Sequence, residues 1–350
     1  MDVNKVRVAR LAHVVYQHVD IDKALEFLID FGFVQIERRA NLIYLGGYGQ
    51  QPFIYVLEQS PDSEKHFCGG YWVVESMEEL EKAASHTNAT SIQDYDAPGG
   101  GKFVVIKDPN GFDCGFVYGQ KLQERKRSAI TLEANDPVSN TVEEKLRKGS
   151  FRRFKKAPSP IHKLGHYGYS VPANKFDSTY TWYTTVLNLK LSDAIFDQAT
   201  GKDESCFCHI DLGTEYSDHH SFFLSIEPGA KAPHVHHSSY EVNDFDTQTL
   251  GHDWLRSKEW KSCWGVGRHV LGSQIFDYWF DSSGNIVEHY SDGDLVNEET
   301  PTSREPAVLE SLYVWGPNLP LGLLAKEVGR GTVVPPDVVL GRPAIISETT

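Results

Sequence analysis

The chain has 350 residues, of which 40% are apolar, 12% aromatic and 23% charged, a composition typical of a globular protein with room for two domains. Its formal net charge of −14 at pH 7 argues against nucleic acid or an anionic membrane as a partner, because both favour a basic surface. The sequence has no secretory signal and no apolar run near the ~20 residues that cross a bilayer, so we expect a cytoplasmic protein without membrane contact.

Taken in chain order, the hydrophobic pattern predicts four similar segments, each of which begins with an alternating strand, continues as an amphipathic helix and ends with several strands. The opening strands are predicted at 8–19, 69–76, 163–172 and 235–244. The helices are predicted at 21–32, 77–86, 176–189 and 247–260. This βαβββ order, repeated four times, predicts an α+β fold and not a doubly wound parallel sheet.

A charged, turn-rich stretch at 121–160 separates the second and third segments and predicts a linker. We therefore expect an N-terminal domain at 1–120 and a C-terminal domain at 161–296. The basic run at 152–156 could indicate an anion site, but a solvated linker is the simpler interpretation. Residues 297–350 are rich in proline near their end and predict an extended tail along the surface.

Three histidines fall within positions 234–237, in a stretch that alternates as a strand does. Because successive side chains of a strand point to opposite faces, His237 is expected on a small, polar face, with His234 and His236 on the other. His166 has the equivalent place in the equivalent strand of the third segment. The pattern thus predicts that His166 and His237 point into one cleft.

The last strand of the fourth segment offers a third metal ligand, Glu288, after a Ser-Ser-Gly-Asn turn at 282–285. His289 is expected to point to the opposite face. Two histidines and one carboxylate form the facial triad that favours non-haem Fe(II) and leaves neighbouring coordination positions open. The alternative is coincidence, because a chain with 15 histidines can place two of them on equivalent strands by chance.

Three motifs give the sequence a family resemblance: Gly-His-Tyr-Gly-Tyr-Ser-Val-Pro at 165–172, His-His-Ser-Ser-Tyr-Glu-Val at 236–242 and Asp-Ser-Ser-Gly-Asn-Ile-Val-Glu at 281–288. The chain resembles the vicinal oxygen chelate superfamily and, within it, the type I extradiol catechol dioxygenases, across residues 5–295. The resemblance implies four βαβββ modules in two domains, each an incomplete mixed β-barrel with its helices outside. It also implies an Fe(II) enzyme, with Mn(II) as the alternative metal. Such an enzyme inserts both atoms of O2 beside the diol of a catecholic substrate, opens the ring to a semialdehyde-type product and forms a homo-oligomer.

The same resemblance implies catalytic roles for residues around the triad. His220, the second residue of the doublet at 219–220, corresponds to the acid–base histidine of those dioxygenases. His269 and Tyr278 correspond to residues that orient and hydrogen-bond the substrate oxygens. Apart from the resemblance, His209 and His236 lie near the proposed site in the sequence and are expected as further contacts with a polar group of the substrate.

The N-terminal domain is expected to lack a complete metal site. His13 marks the ligand position in its first module, but Gly115 stands where the glutamate would be. The glycine run at 99–101 precedes a predicted strand and not a helix, so it does not indicate a phosphate loop. Five cysteines are a sparse, odd set, which predicts reduced thiols and not a disulfide framework.

Two other functions are compatible with the same fold. The first is a metal-dependent isomerase or lyase of the glyoxalase kind, whose chemistry relies on carboxylates and has little use for His220, His269 and Tyr278. The second is a non-catalytic protein that binds an aromatic ligand. An intact triad argues against that second function, because a binding cleft gains nothing from a redox metal.

Overall fold

Strands dominate the computed structural model, which describes residues 5–124 and 139–320. In the first range the elements, in chain order, are β1 (Val8–His18), α1 (Ile21–Phe31), β2 (Val34–Arg39), β3 (Leu42–Gly46), β4 (Tyr55–Gln59), β5 (His66–Val74), α2 (Met77–Ala84), β6 (Gln93–Asp94), β7 (Lys102–Lys107) and β8 (Asp113–Tyr118). In the second range they are β9 (Ile161–Val171), α3 (Ala173–Val186), β10 (Leu189–Phe196), β11 (Asp203–Ile210), β12 (Ser217–Asp218), β13 (Phe222–Ile226), β14 (His234–Val242), α4 (Phe245–Ser257), β15 (Ser262–His269), β16 (Ile275–Phe280), β17 (Ile286–Ser291), β18 (Leu295–Val296), β19 (Ser303–Pro306), a 3₁₀ turn (Leu309–Ser311) and β20 (Tyr313–Trp315).

The strands form two large mixed sheets, one in each half of the chain. Their strand orders are β2-β3-β4-β1-β5-β8-β7-β6 and β19-β10-β11-β13-β9-β14-β17-β16-β15-β20. The opening strands of each half pair antiparallel, β1 with β5 and β9 with β14, and each also pairs in parallel with the last strand of its own module. Neither sheet closes into a barrel within the described residues. The predicted α+β fold of four βαβββ modules, arranged as two incomplete barrels, is confirmed.

Local sequence signals set the ends of α1, which packs on the first sheet. The helix begins after Asp20, whose carboxylate accepts the backbone N–H of Lys23 at 2.9 Å. It ends at Gly32, whose left-handed φ of 115° favours glycine. A Cβ on Gly32 would also lie 1.7 Å from the carbonyl oxygen of Ser159, so the close approach of the two halves here requires glycine.

One apolar core runs through both halves of the chain. Its buried aromatic side chains come from α1, from the first sheet and from the second sheet, and include Phe31, Trp72, Tyr167, Tyr240 and Trp279. Because the halves share this core, we expect them to stabilise each other.

A polar contact joins α1 of the first half to the end of α4 in the second. The carboxylate of Asp30 accepts hydrogen bonds from the indole N–H groups of Trp254 at 3.0 Å and Trp260 at 2.9 Å. Asp30 is only 9% exposed, and both indole side chains are half-buried. We refer to this arrangement as the Asp30 clamp.

The segments outside the four modules are mostly irregular. The predicted linker contains no helix or strand in its described parts, 121–124 and 139–160. Its basic run is largely exposed, although Arg152 pairs with Asp244 at 3.1 Å and with Asp246 at 3.0 Å at the start of α4. In the part of the chain that the structure describes, no helix is long and apolar enough to cross a bilayer.

The predicted tail contributes to the second sheet in its described part. β19 pairs with β10, and β20 pairs with β15, so the chain returns to both edges of this sheet after the fourth module. The proline-rich end at 333–343 lies outside the described residues. The predicted domain boundaries at 120, 160 and 296 stay predictions.

Candidate metal centre and active-site cavity

Three neighbouring strands, β9, β14 and β17, place the predicted ligands in one row. Ser239 of β14 lies opposite His166 of β9 on one side and opposite Glu288 of β17 on the other. His237 precedes Ser239 by two residues and therefore shares its face. Because Ser239 is small, the three longer side chains can converge above it.

The ligand atoms of His166, His237 and Glu288 lie close enough to share one ion. Nε2 of His166 is 3.0 Å from Nε2 of His237 and 3.2 Å from Oε2 of Glu288, and Nε2 of His237 is 3.5 Å from the same oxygen. Two ligands at right angles, each about 2.1 Å from a cation, would be about 3 Å apart. The three atoms therefore fit three adjacent positions around a divalent metal.

The surroundings of Glu288 also fit a cation. Its side chain is fully buried, and neither carboxylate oxygen has a hydrogen-bond partner with good geometry among the described residues. A buried carboxylate is costly unless a positive charge balances it. Burial alone would raise the pKa of Glu288, but contacts with His166 and His237 hold it well below its usual range. Burial lowers the pKa of His166 to about 4, so at neutral pH this set offers a neutral imidazole and a carboxylate.

His236 lies on the cavity wall beside His237, which corrects the prediction from strand alternation. Val235 pairs with Tyr169 and His237 pairs with Gly168, so β14 has one extra residue, His236, at this point. Such a bulge interrupts the alternation of faces. Nδ1 of His236 lies 2.6 Å from Nδ1 of His237, and both residues line the same cavity.

His269 and Tyr278 form a hydrogen-bonded pair on another wall of the cavity. Nδ1 of His269 donates to the carbonyl oxygen of Leu312 at 2.8 Å, because a carbonyl can only accept. Burial lowers the pKa of His269, so the ring is neutral and Nε2 carries a lone pair. Tyr278 therefore donates its O–H to Nε2 of His269, at 2.9 Å.

Of the doublet at 219–220, it is His220 that lines the cavity. Its ring lies 4.0 Å from that of His166, measured between centroids. Burial, with the neighbouring histidines as a smaller contribution, holds the pKa of His220 well below its usual range. His219 lies behind it, with Nε2 at 2.7 Å from a carboxylate oxygen of Asp193.

Three other histidines, His209, His234 and His289, are not among the described residues that line the cavity. His209 points its Nδ1 at the hydroxyl of Ser192, at 2.7 Å, and is not among the described residues that line the cavity. Its role as a substrate contact therefore stays a prediction without geometric support. His234 is 41% exposed at its side chain and pairs with Glu227 at 2.9 Å. His289 points to the opposite face of β17, as predicted, and contacts the carbonyl oxygen of Phe31 at 2.7 Å.

The rest of the cavity wall is largely apolar. Its hydrophobic members are Ile195, Phe207, Phe223, Trp264, Leu271, Leu312 and Leu319. Leu312 and Leu319 belong to the segment after the fourth module, which the sequence predicted to be an extended tail. Short irregular segments carry no periodic signal, and only their pairing with distant strands brings them to the site. Trp264 holds this segment by donating its indole N–H to the carbonyl oxygen of Pro317 at 2.9 Å.

The sequence of the second half matches a family of known proteins. Residues 163–289 match the model of the Glyoxalase/Bleomycin resistance protein/Dioxygenase superfamily. The match spans the third and fourth modules, β9 to β17. The resemblance to the vicinal oxygen chelate proteins is thereby confirmed. Metapyrocatechase 2 of Cupriavidus necator is 33% identical over 141 residues, which span 40% of this chain and 40% of that protein.

Solved structures with the same architecture cover most of the chain. Homoprotocatechuate 2,3-dioxygenase from Brevibacterium fuscum, in complex with 3,4-dihydroxyphenylacetate, covers 93% of this chain and 94% of its own, with 16% identity and a TM-score of 0.72. The Mn(II)-bound glyoxalase from Novosphingobium aromaticivorans covers 90% of this chain and 93% of its own, with 19% identity and a TM-score of 0.72. At these identities the likeness shows the fold alone.

The first half repeats the strand arrangement of the second half but has other residues at the positions equivalent to the triad. His13, Tyr71 and Gly115 are paired across β1, β5 and β8, as His166, Ser239 and Glu288 are in the second half. The Tyr71 ring stacks on His13 at 4.4 Å, and a Cβ on Gly115 would lie 2.0 Å from that ring. Within residues 5–124 no cluster of metal-ligand atoms is present. The tyrosine occupies the space that the serine leaves open in the second half.

Proposed function

We propose that the protein is a non-haem Fe(II)-dependent extradiol dioxygenase that cleaves a catecholic ring beside its diol, with Mn(II) as the alternative metal. The observation that carries this proposal is the convergence of His166, His237 and Glu288 beneath a largely apolar cavity whose wall also holds further histidines and Tyr278. Partial identity to a metapyrocatechase supports the same activity. The predicted homo-oligomer and cytoplasmic location stay predictions.

The chain's own residues would prepare the substrate. His166, His237 and Glu288 would hold a ferrous ion, which would supply Lewis acidity toward a catecholate and the electrons that activate dioxygen. His220, neutral and beside the triad, is placed to take a proton from a substrate hydroxyl and to return one later. Because Tyr278 donates its own proton to His269, its oxygen presents lone pairs to the second hydroxyl. The apolar walls hold the ring and keep bulk water out.

The wall also favours a particular class of catechol. Among the described residues that line the cavity there is no lysine or arginine to pair with an anionic substituent. Burying an unpaired carboxylate is costly. We therefore propose a substrate with an uncharged, apolar substituent. With 4-methylcatechol, kcat/KM should exceed that with 3,4-dihydroxyphenylacetate by at least about 10-fold, equivalent to about 1.4 kcal/mol.

The direct test is anaerobic loading of the full chain with Fe(II) or Mn(II), followed by exposure to oxygen with a panel of catechols. Ring cleavage predicts stoichiometric oxygen uptake and a rise in near-visible absorbance from the semialdehyde product. A loaded protein that consumes no oxygen with any catechol would reject the dioxygenase. Turnover of a glutathione hemithioacetal would instead support the glyoxalase kind, and tight binding of aromatics without turnover would support a binding protein.

Two variants separate the metal site from the acid–base group. Glu288→Ala should lose stoichiometric metal, because it removes the single carboxylate of the triad, whereas the exposed Glu299→Ala should retain it. His220→Ala should bind metal normally and turn over about 10²-fold more slowly or worse. Retention of metal by Glu288→Ala would contradict the triad, and an unchanged rate for His220→Ala would contradict the acid–base role.

A further inference from the structure

Three buried side chains form a hydrogen-bonded series that leads away from the cavity: His220, His219 and Asp193. Nδ1 of His220 lies 3.1 Å from Nδ1 of His219, and Nε2 of His219 lies 2.7 Å from Oδ2 of Asp193. None of the three residues is more than 8% exposed. The other oxygen of Asp193, Oδ1, accepts the backbone N–H of Ser303 at 3.2 Å.

The hydrogen-bonding capacity of these groups fixes where the hydrogens lie. A carboxylate can only accept, so Nε2 of His219 carries a hydrogen and donates it to Asp193. Nδ1 of a neutral His219 is then a lone pair. Two lone pairs cannot face each other at hydrogen-bond distance, so Nδ1 of His220 must carry a hydrogen and donate it to His219. Nε2 of His220, the ring nitrogen turned away from His219, is left with its lone pair for the cavity.

We propose that Asp193 and His219 are positioning residues that hold His220 as the tautomer with hydrogen on Nδ1 and the lone pair on Nε2. His220 then meets a substrate hydroxyl as a base, without first exchanging a proton with solvent. The tautomer follows from these hydrogen bonds and an uncharged His219 ring, and only its benefit to turnover rests on the proposed dioxygenase function.

The surrounding fold leaves space for the ring of His219 and holds Asp193 in place. Gly272 has a left-handed φ of 74°, and a Cβ on it would lie 2.7 Å from Nδ1 of His219, so the turn after β15 leaves room for that ring only with glycine. The hydroxyl of Ser192 donates to the carbonyl oxygen of His219 at 2.5 Å. Asp193 is held in register with Ser303 of β19, which ties the carboxylate to the segment that follows the fourth module.

The substitution Asp193→Asn tests the inference with little change in shape. The amide oxygen of the new side chain would keep the Ser303 N–H, and its NH2 group would face Nε2 of His219. His219 would then have to accept on Nε2 and donate from Nδ1. Both hydrogen bonds would change direction, so Nδ1 of His220 would become an acceptor and its hydrogen would lie on Nε2. Asp197→Asn, in the turn after the same strand, removes the same charge and leaves the hydrogen-bonded series intact.

The decisive readout is the tautomer of His220. The full chain is labelled with ¹⁵N-histidine and loaded with Zn(II), a diamagnetic ion, and the His220 signals are assigned by their loss in His220→Gln. We expect hydrogen on Nδ1 in the unmodified protein and in Asp197→Asn, and on Nε2 in Asp193→Asn. Hydrogen on Nε2 in the unmodified protein would overturn the proposal even if Asp193→Asn fails to fold. An unchanged tautomer in a folded, Zn(II)-binding Asp193→Asn would also overturn it.

Kinetics distinguish this inference from the proposed function. If the protein is a dioxygenase, Asp193→Asn should lower kcat by about 10²-fold or more, because the base is presented in the wrong form. KM and metal stoichiometry should stay near those of Asp197→Asn, since neither the ligands nor the cavity wall has changed. If the protein shows no ring cleavage, the proposed function fails while the tautomer measurement still decides the role of Asp193 and His219.

Discussion

At the scale of single residues, three histidines of the cavity differ in the group that contacts their Nδ1. Nδ1 of His269 donates to a backbone carbonyl, Nδ1 of His237 meets His236, and Nδ1 of His220 meets His219. The partner of one imidazole nitrogen determines what the other nitrogen can do, because a neutral ring has one donor and one acceptor. The partner of each Nδ1 thus sets the chemistry that is open to the Nε2 of the same ring.

His236 provides the clearest test of such a partner. When His237 binds a cation through Nε2, its Nδ1–H can donate to Nδ1 of His236, and losing the partner of a ligating histidine typically costs 10–100-fold in metal affinity. We expect His236→Ala to weaken Mn(II) binding by about that factor. The dissociation constant is measured by competition with a chromogenic chelator.

The neighbouring His234 serves as the control for that measurement. It lies in the same stretch, is partly exposed and pairs with Glu227 outside the cavity. His234→Ala should therefore bind Mn(II) as the unmodified chain does. Equal affinities for the His234 and His236 variants would show that His236 does not support His237.

The clustering of His166, His237 and Glu288 was predictable from sequence, and the position of His236 beside this cluster was not. Strand alternation and three short motifs indicated His166, His237 and Glu288, because a period of two is a local property of the chain. The position of His236 depends on a bulge, which is a property of how β14 pairs with β9. The contact between Asp193 and His219 could not be predicted either, because the two residues lie 26 positions apart in the sequence.

At the scale of elements, the Asp30 clamp joins a helix of the first module to a helix of the fourth. Asp30→Ala should lower the free energy of unfolding by about 1–3 kcal/mol, because it leaves two half-buried indole N–H groups without their acceptor. Denaturant unfolding followed by tryptophan fluorescence measures the loss. Trp254 and Trp260 themselves report on the change.

Asp22 offers a comparison on the same helix. It pairs with Arg38 at 2.8 Å, but its side chain is 74% exposed. Asp22→Ala should change the unfolding free energy by less than about 0.5 kcal/mol. If Asp30→Ala costs no more than Asp22→Ala, the clamp does not stabilise the contact between the halves.

Most elements could be predicted because their hydrophobic period is strong. The four helices and the long strands lie within a few residues of their predicted places, and every module opens with its predicted strand. β19 and β20 could not be predicted, since they have four and three residues and form only by pairing with distant edges of the sheet. The cavity contacts of Leu312 and Leu319, which lie beside β20 in this segment, were therefore not predicted either.

At the scale of the whole molecule, burial of His13 makes stability depend on pH. Burial lowers the pKa of His13 to about 3, against an ordinary value of 6.5. Between these values the unfolded chain binds a proton that the folded chain does not, so stability falls as pH falls from 6.5 towards 3. For this one residue the loss between pH 7 and pH 5 is about 2 kcal/mol.

Replacing His13 should flatten that dependence. In His13→Gln the decrease in unfolding free energy from pH 7 to pH 5 should be smaller by about 2 kcal/mol than in the unmodified chain. Tyr95→Phe removes the hydroxyl that contacts His13 at 3.0 Å but keeps the buried imidazole, so it should retain the full dependence. A His13→Gln protein with an unaltered pH profile would contradict this assignment.

The two equivalent rows of residues predict that the second half opens locally more easily than the first half when no metal is bound. The row of the first half is closed by the stacked rings of Tyr71 and His13, whereas the row of the second half gathers a buried carboxylate and imidazoles around a cation position. Without metal, backbone amides of β9, β14 and β17 should exchange with deuterium faster than those of β1, β5 and β8. Mn(II) at 100 times its dissociation constant should slow exchange in the second half selectively, by up to about 2.7 kcal/mol in opening free energy. One duplicated scaffold would thus hold a half whose rigidity is intrinsic and a half whose rigidity depends on its metal.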